Sequence, residues 1–329
     1  MSKALLRIRA PAEVAEPPAA PTATAEFPVA VGPTLPANSG RRLAGTLLRR
    51  RVKTLFRYFP TALTGDEEGI HQLRVSGRRL RVALPLLVEH ADGRRATRAR
   101  RLLQLLTRTA GSSRDLDVLL ESYDVRLKDL SARTAEQKLL RHRLASARRR
   151  GRTRMVGSLL DLEISRLRRD LAALIARGGP LPAVVCERFA ALCEREGQAL
   201  HDGFATLGAR LDAKALHGLR RRARRLRYAV EVFDQIRNFE SAAAKPWKTL
   251  QDLIGVLHDH HVLAEWFDQQ AQADEKRGNA LLAATATAEA AWARATMHRL
   301  HEDFLAAQPT TLVAQGLSAV GFTPAVPSN

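Results

Sequence analysis

The sequence is poor in aromatic residues and lacks long apolar runs. Aromatic side chains make up 5% of the 329 residues, and Leu and Ala dominate the 45% that are hydrophobic. This balance favours helix packing over sheets. No apolar run approaches the ~20 residues of a membrane-spanning helix, and no apolar segment follows the basic N-terminal residues as it would in a signal peptide. We therefore expect a helical protein that does not insert into a membrane.

Cysteine is scarce, with Cys186 and Cys193 as the two examples. On a helix, residues seven apart share a face but lie roughly 10 Å apart, which is too far for a disulfide. Buried free thiols are typical of a reducing compartment. The two residues therefore indicate a cytoplasmic protein.

Signatures of common catalytic sites are missing as well. The sequence contains no G-x-S-x-G elbow, Walker loop or Rossmann fingerprint, and no Ser/His/Asp or Cys/His constellation. The run His258-Asp259-His260-His261 suggests metal binding, but on a helix His260 points away from the face that His258 and His261 share. We predict no metal, no cofactor and no enzymatic activity, with a metal-dependent phosphohydrolase as the weakest alternative.

Positive charge is what the sequence has in excess. Lys and Arg total 53 against 34 acidic residues, which gives a net charge of +19 and a pI near 11.2. Such an imbalance points to a polyanionic partner: nucleic acid, an acidic membrane surface or polyphosphate. Arg far exceeds Lys, and its planar fork grips phosphate oxygens in pairs. A GC-rich genome, which encodes Arg in place of Lys, is the alternative explanation for this excess.

Two segments have nearly the same sequence. His71–Leu84 reads HQLRVSGRRLRVAL and His217–Val230 reads HGLRRRARRLRYAV, an offset of 217 − 71 = 146 without a gap. A glycine landmark follows each copy, Gly111 in the first half and Gly255 in the second, at an offset of 255 − 111 = 144. A repeat of this length predicts a fold that is built twice.

Helical periodicity gives each copy an apolar face and a cationic face. The apolar positions are Leu73, Leu80, Leu84 and Leu87 in the first copy and Leu219, Leu226, Val230 and Phe233 in the second. The cationic positions are His71, Arg74, Arg78 and Arg81, and His217, Arg220, Arg224 and Arg227. Like charges at i,i+4 repel by about 0.2–0.5 kcal/mol per exposed pair, and by more in a cleft of lower dielectric. The pattern therefore predicts that an anion binds between these faces, although a solvated basic face would show the same periodicity.

The periodicity also predicts the organisation of the chain. Residues 1–40, rich in Pro and Ala, are expected to be a disordered leader, and the tail 307–329 a loop or disorder. We predict an all-α fold with two bundles of about four helices, 41–176 and 181–306, related by a pseudo-two-fold axis. The predicted helices are 41–59, ending before Pro60; one opened by Asp66 to Glu68; 94–110, ended by Gly111; one starting at Arg114; 135–176, with a weak point at Gly151; 181–207; 213–239; 243–257; and 279–306.

The doubled pattern H-x-L-R-x-x-x-R-R-L-R, followed by L-x-x-x-x-G-x-x-x-D, resembles the conserved-histidine α-helical domain family, CHAD. The resemblance covers about Arg41 to Ala306. It implies two four-helix bundles around a basic central cavity, binding of inorganic polyphosphate and association with polyphosphate granules. The family's ligands would be the eight cationic positions named above. Weaker candidates on adjoining helices are Lys53, Arg57, Arg108, Arg114, Lys245 and Lys248.

The sequence departs from the family pattern at two places. His258 precedes the second Asp where the family has Arg, and Thr107 stands where the second half has Gln251. Either change weakens part of the site or makes it pH-dependent. Some family members carry a fused triphosphate-tunnel domain that begins with E-x-E-x-K. The segment Glu13-Val14-Ala15-Glu16 does not match it, so we do not expect that catalytic domain in this chain.

Other interpretations of the same residues stay open. His71 and His217 could cap a neighbouring helix instead of meeting phosphate, and Asp115 and Asp259 are more simply helix caps or partners of arginine than metal ligands. A basic helical protein that binds nucleic acid is the second functional hypothesis, and nucleic acid would then compete with polyphosphate. Sparse aromatics and the lack of a known nucleic-acid module count against it. Tyr228, Trp247 and Trp266 are expected in the core or at its rim.

Overall fold

A computed structural model describes residues 37–238 and 241–322. Within these ranges the chain forms ten helices and no strand, so the all-α prediction is confirmed. In chain order the helices are α1 (Ala37–Leu63), α2 (Glu67–Leu87), α3 (Arg94–Lys128), α4 (Ala135–Leu160), α5 (Ile164–Ala176), α6 (Pro182–Leu207), α7 (Ala213–Arg237), α8 (Ala244–Glu275), α9 (Ala280–Ala306) and α10 (Pro309–Ser318).

The predicted termini agree only in part with the structure. Most of the predicted leader lies outside the described residues, and its last four residues form the start of α1. The tail from Ala307, predicted as a loop or disorder, instead contains α10, which packs against α6 and α8. Val313 and Leu317, four residues apart, lie on one face of α10 and are buried in the core. This short apolar face is what makes the tail helical.

Three predicted helix breaks are wrong. α1 continues through Pro60 to Leu63, because a proline this close to the end of a helix removes few hydrogen bonds. α3 continues through Gly111 and α8 through Gly255, so neither glycine ends a helix. Burial of these segments outweighs the low helix propensity of glycine, which costs about 1 kcal/mol.

The long helix predicted over 135–176 breaks, but not at Gly151. It divides into α4 and α5 at residues 161–163. Gly151 lies inside α4 and is buried, and a Cβ there would approach Leu116 Cδ1 of α3 to 2.8 Å. The glycine thus allows α4 to pack closely on α3 rather than weakening the helix.

The motif helices α2 and α7 start in the same way. The Asp66 carboxylate accepts a hydrogen bond from Gly69 N at 2.6 Å, and Asp212 accepts one from Ala215 N at 2.9 Å. Both are N-caps that satisfy a free amide of the first turn. Their offset, 212 − 66 = 146, equals that of the motif, so the repeat includes the caps.

Corresponding helices of the two repeats meet. α1 packs on α2, α2 on α3 and α3 on α4, and the same order holds for α6 to α9. Between the repeats, α2 contacts α7, α3 contacts α8 and α4 contacts α9. Contacts between equivalent elements are what an approximate two-fold axis requires.

The apolar core is shared by both repeats. The larger cluster contains Leu48 and Leu80 from the first repeat together with Phe189 and Leu226 from the second. The smaller cluster joins α3 and α4 to α8 and α9, and its aromatic residues Tyr123 and Phe267 meet edge to face at 4.8 Å. Since each cluster draws on both repeats, packing between them sets how α2 and α7 cross.

Candidate functional site

A cavity of about 800 Å³ opens beside the crossing of α2 and α7, with α3 and α6 completing its wall. We call it the main cavity. Nine arginines line it against a single carboxylate, that of Asp92. Its charged lining consists of Arg78, Arg81, Arg100, Arg101, Arg188, Arg195, Arg221, Arg224, Arg225 and Asp92. Such a concentration of one charge in a concave wall attracts anions strongly.

Arg78 and Arg224, which are equivalent in the two repeats, share the centre of this site. Burial, together with the charges of Arg74 and Arg224, lowers the pKa of Arg78 to about 9. Burial lowers the pKa of Arg224 to about 10, and Arg220 and Arg74 add to the shift while Tyr228 opposes it. Arginine stays protonated at neutral pH, so these directions mean that crowded, desolvated cations raise the free energy of the empty site. A bound anion would lower it.

The other arginines of the main cavity differ in how they are held. Arg188 donates to the carbonyl oxygens of Val88 at 2.6 Å and Glu89 at 2.9 Å, so it caps the end of α2. Glu196, which is 1% exposed and lies behind the wall, pairs with Arg195 and Arg225. These pairs fix part of the wall and leave other cations available.

Four arginines of the main cavity make neither an ion pair nor a side-chain hydrogen bond within the described residues, because Arg81 and Arg188 are held by hydrogen bonds. They come from α2, α3 and α7 and are Arg78, Arg101, Arg221 and Arg224. Their guanidinium groups are the strongest candidates for direct contact with an anionic ligand.

A cluster of charged groups adjoins the crossing where α3 and α8 approach it. Arg74 pairs with Asp115 at 3.0 Å, and the charge of Asp259 in the second repeat favours the protonated form of Arg220. Burial raises the pKa of Asp259 to about 6, with Asp115 adding to the shift and Arg220 opposing it. The structure therefore agrees with the interpretation of both aspartates as partners of arginine.

Gly111 and Gly255 make room for the arginines of this cluster. A Cβ on Gly111 would lie 3.7 Å from Arg74 Nε, and a Cβ on Gly255 would lie 3.0 Å from Arg220 Nη2. Both glycines are buried inside continuous helices. At both glycines of the repeated pattern, the absence of a side chain therefore leaves space for a guanidinium group of the neighbouring motif helix.

His217 and His258 lie side by side in the same cluster. Their ring centroids are 4.5 Å apart, and the Nδ1 atom of each is buried without a hydrogen-bond partner in the described residues. Burial lowers the pKa of His258 to about 4, aided by His217 and Arg220. Burial and the neighbouring Arg220 also lower the pKa of His217. Both rings are therefore neutral at pH 7 when no anion is present.

His71 does not repeat this arrangement. Burial lowers its pKa, and so does Arg114, while Glu68 opposes the shift. The equivalent of His258 in the first repeat is Arg114, which donates to Glu67 at 2.6 Å. The two ends of the cluster therefore differ in charge, as the departure at His258 predicts.

The structure separates the predicted ligands into groups. Arg78, Arg81 and Arg224 line the main cavity, whereas His71, Arg74, His217 and Arg220 belong to the adjoining cluster. Arg227 turns to Glu231 and to Gln251, to which it donates at 3.3 Å. Arg81 makes the equivalent contact with Thr107 at 3.5 Å.

The weaker candidates lie farther from the main cavity. Arg114 is held by acids, and Lys248 pairs with Asp252 on α8. Arg108 lines a separate groove between α3 and α4. Lys53, Arg57 and Lys245 are exposed and line none of the cavities described here.

Sequence reasoning missed six arginines of the main cavity: Arg100, Arg101, Arg188, Arg195, Arg221 and Arg225. Arg225 could have been predicted from the sequence, because Arg225 and its equivalent Arg79 both belong to the repeated motif. The other five lie outside the shared pattern. Arg221 lies on α7, where the first repeat has Val75, and the remaining four join the site because α3 and α6 pack beside α2 and α7.

The histidine run on α8 does not converge on one point. His258 faces His217, His260 Nδ1 donates to Val256 O at 3.0 Å, and His261 lies 3.4 Å from Glu265. Across the described ranges, no group of three His, Cys, Asp or Glu side chains could hold a metal ion. Cys186 and Cys193 are free thiols. No helix between residues 37 and 322, outside the undescribed pair 239–240, is long and apolar enough to cross a membrane.

The chain belongs to the CHAD domain family, because the family model matches residues 46–268. It is 27% identical over 263 residues to the uncharacterized protein MT2285 of Mycobacterium tuberculosis (strain CDC 1551 / Oshkosh), covering 75% of this chain. That match spans 48% of MT2285, about half its length. The crystal structure of the CHAD domain from the plant Ricinus communis superposes with a TM-score of 0.60 at 21% identity, covering 86% of this chain and 92% of the plant chain. The structural likeness confirms the fold.

Proposed function

We propose that this protein binds inorganic polyphosphate in the main cavity and associates with polyphosphate granules in the cytoplasm, as a binding protein and not an enzyme. The observation that carries the proposal is the lining of the main cavity, where nine arginines face one carboxylate. A linear polyphosphate carries about one charge per phosphate, and a wall of guanidinium forks matches such a repeating anion. Membership of the CHAD family supports this ligand class.

The shape of the site favours a slender anion over duplex DNA. Proteins read duplex DNA by inserting a convex element into a groove, whereas the cationic surface here is concave. Single-stranded nucleic acid is usually bound on exposed aromatic rings. Tyr228, the aromatic residue of the main cavity, is 6% exposed and packs under Arg79 and Arg227. Nucleic acid is therefore the second candidate, supported by charge alone.

Titration at physiological salt tests the proposal. Long-chain polyphosphate, single-stranded RNA and duplex DNA are titrated against the full-length protein by isothermal calorimetry. We expect polyphosphate to bind more tightly than either nucleic acid, with an affinity that falls steeply as salt rises. Equal or tighter binding of nucleic acid would overturn the preference. Phosphate release is followed in the same samples, and sustained release would contradict a role limited to binding.

A pair of substitutions locates the site. Removing Arg78 and Arg224 together, as Arg78→Gln with Arg224→Gln, should weaken polyphosphate binding by roughly a hundredfold, about 3 kcal/mol, because each lost charged hydrogen bond is worth about 1.5 kcal/mol or more. The matched control is Arg149→Gln with Arg150→Gln, which removes the same charge from exposed positions on α4. Equal losses in both double variants would mean that net charge, and not the cavity, binds the anion.

A further inference from the structure

The main cavity has a counterpart on the other side of the α2–α7 pair. A second cavity of about 590 Å³ is lined by α1, α2 and α7. Val75 and Arg79 in this second cavity are the repeat equivalents of Arg221 and Arg225 in the main cavity, because both pairs differ by 146. The approximate two-fold axis therefore relates two concave surfaces of similar origin.

The two cavities differ in charge. The main cavity has nine arginines and one carboxylate, whereas the second has three arginines, Arg50, Arg51 and Arg79, and two carboxylates, Glu231 and Asp234. One difference arises inside the repeat itself, since Glu231 occupies the position of Pro85 in the main cavity (231 − 85 = 146). The excess of positive charge is therefore much smaller in the second cavity (3 − 2 = 1) than in the main cavity (9 − 1 = 8).

Glu231 holds arginines from both motif helices. Arg79 Nη2 of α2 donates to Glu231 Oε1 of α7 at 3.1 Å, and Arg79 Nε lies 2.9 Å from Oε2 without a hydrogen bond. Arg227 Nε lies 3.8 Å from the same carboxylate. The charge of Glu231 also favours the protonated form of Arg51 on α1. Burial acts in the opposite direction and lowers the pKa of Arg51 to about 10. By contrast, Glu196 pairs with arginines of the main cavity from behind the wall and does not line it.

This arrangement has a direct consequence for a polyanion. A carboxylate that lines a surface repels phosphate oxygens, and an arginine already paired to it offers a ligand fewer donors and less uncompensated charge. Arg227, equivalent to Arg81 of the main cavity, is withheld from the ligand in this way. The chain of cations that could lead a polyphosphate from the crossing into the second cavity is interrupted at Glu231.

We infer that Glu231 is a specificity-determining residue that confines a bound polyphosphate to the main-cavity side of the α2–α7 pair. The inference rests on the proposed function. It means that the protein binds a limited number of phosphates on one face of the α2–α7 pair, although the fold forms a concave surface on both faces. Arg79 and Arg227 are the arginines that a neutral residue at position 231 would release.

The test compares Glu231→Gln with the wild-type protein, using long-chain polyphosphate and tripolyphosphate over a series of salt concentrations. Gln keeps the shape of Glu and one acceptor oxygen for Arg79, so the fold is retained. Two released arginines should steepen the slope of log affinity against log salt by about two for the long chain. Affinity for that chain should rise by about tenfold, or about 1.4 kcal/mol. Tripolyphosphate is too short to span both cavities, so its affinity should stay within about twofold.

Three controls test whether a change in the slope comes from a larger contact surface for polyphosphate, and not from net charge or misfolding. Glu121→Gln removes the same charge from an exposed position of α3 that lines neither cavity, and it should leave the slope unchanged. Adding Arg79→Gln to Glu231→Gln should return the slope about halfway to the wild-type value, because Arg227 stays released. Arg79→Gln alone should leave wild-type binding unchanged, a measurement that does not depend on how Glu231→Gln folds.

The outcomes distinguish the two proposals. If the wild-type protein binds polyphosphate but Glu231→Gln shows the same slope, or if Glu121→Gln steepens it equally, the confinement by Glu231 is wrong and the proposed function stands. A loss of wild-type binding in Arg79→Gln alone would also overturn the confinement. If the wild-type protein binds no polyphosphate, the proposed function fails and the inference fails with it.

Discussion

Arg220 lies against Gly255, and a Cβ on that glycine would come within 3.0 Å of Arg220 Nη2. Arg74 and Gly111 repeat the relationship in the first half with a wider spacing, 3.7 Å to Nε. A glycine within each long helix therefore sets how deeply an arginine of the neighbouring motif helix can settle. The depth of these arginines defines the floor of the charged cluster next to the main cavity.

The first prediction concerns the contact between Gly255 and Arg220. Gly255→Ala should displace the Arg220 guanidinium and weaken polyphosphate binding by about fivefold, or about 1 kcal/mol. Stability should fall little or rise slightly, because Ala has the higher helix propensity by about 1 kcal/mol and the obstructed atom is the end of a flexible side chain. Calorimetric titration and thermal melting measure the two effects.

A matched glycine provides the control for that experiment. Gly218 is an exposed residue of α7 with no neighbouring atom within 4 Å of a Cβ built on it. Gly218→Ala should stabilise the helix without altering affinity. Unchanged binding in Gly255→Ala would show that the position of Arg220 does not matter to the ligand.

The second prediction is that polyphosphate binding takes up protons. In the free protein burial lowers the pKa of His258 to about 4 and raises that of Asp259 to about 6. A bound anion favours the protonated form of both groups, so affinity should increase as the pH falls from 7 toward 5. Other charged groups nearby also affect the pKa of His258 or of Asp259, and these are Arg74, Arg114, Asp115, His217, Arg220 and His261.

Calorimetry in buffers of different ionisation enthalpy measures this uptake directly. The apparent enthalpy should vary with the buffer for the wild-type protein, and the variation should shrink in His258→Gln with Asp259→Asn. If the enthalpy does not depend on the buffer, the cluster does not exchange protons with binding.

For the free protein the same two groups affect stability in opposite directions. His258 has a folded pKa below its usual value of 6.5, so its contribution to stability is lost as the pH falls from about 6.5 to 4. Asp259 has a folded pKa above its usual value of 3.8, so it destabilises the fold progressively as the pH rises from about 4 to 6. His258→Gln should therefore reduce acid destabilisation and Asp259→Asn should raise stability at pH 7. Urea unfolding between pH 4 and 7 measures both, and the reverse order of effects would contradict the burial of these groups.

The third prediction is thermal stabilisation by the ligand. Binding relieves the repulsion among the crowded arginines and occurs in the folded state alone, so a concentration one hundred times the dissociation constant should add about 2.7 kcal/mol. For a chain of this size the melting temperature should rise by about 4 °C. Differential scanning fluorimetry measures the shift. The variant Arg78→Gln with Arg224→Gln should show a smaller rise, and an equal rise would place the ligand elsewhere.

The fourth prediction separates stability from binding. Asp274 at the end of α8 is 0% exposed and receives Arg143 Nη1 of α4 at 2.5 Å. Asp274→Ala would leave this guanidinium without its partner and should lower the free energy of unfolding by about 3 kcal/mol. Asp274 lines neither the main nor the second cavity, so affinity for polyphosphate should not change. Asp268→Ala breaks a surface pair with Arg294 and should cost less than about 1 kcal/mol; an equal cost would contradict the role given to burial.

Helical periodicity and the doubled motif were enough to predict the helical class and the motif helices α2 and α7. These features are local, because the spacing of Leu73 and Leu80 or of Leu219 and Leu226 determines which face is buried. Asp66 and Asp212 show that the helix starts were also present in the sequence, since both act as N-caps. The chemistry of Arg78 and Arg224 followed from the same spacing.

Features that depend on packing between helices were not predictable. Gly111 has a low helix propensity, which alone suggests a helix end. That it leaves space for the Arg74 side chain is visible only once α2 is packed on α3. Likewise Glu231 resembles any exposed acid in the sequence, and its pairing with Arg79 depends on the crossing of α2 and α7. The arginines of α3 and α6 entered the site for the same reason.

The edge-to-face contact between Tyr123 and Phe267 has a consequence for the independence of the two repeats. The two rings belong to one apolar cluster, to which α3 and α4 contribute one part and α8 and α9 the other. A chain cut near Gly179 would therefore yield two fragments that each expose part of this cluster to water, and we expect neither fragment to fold stably without the other.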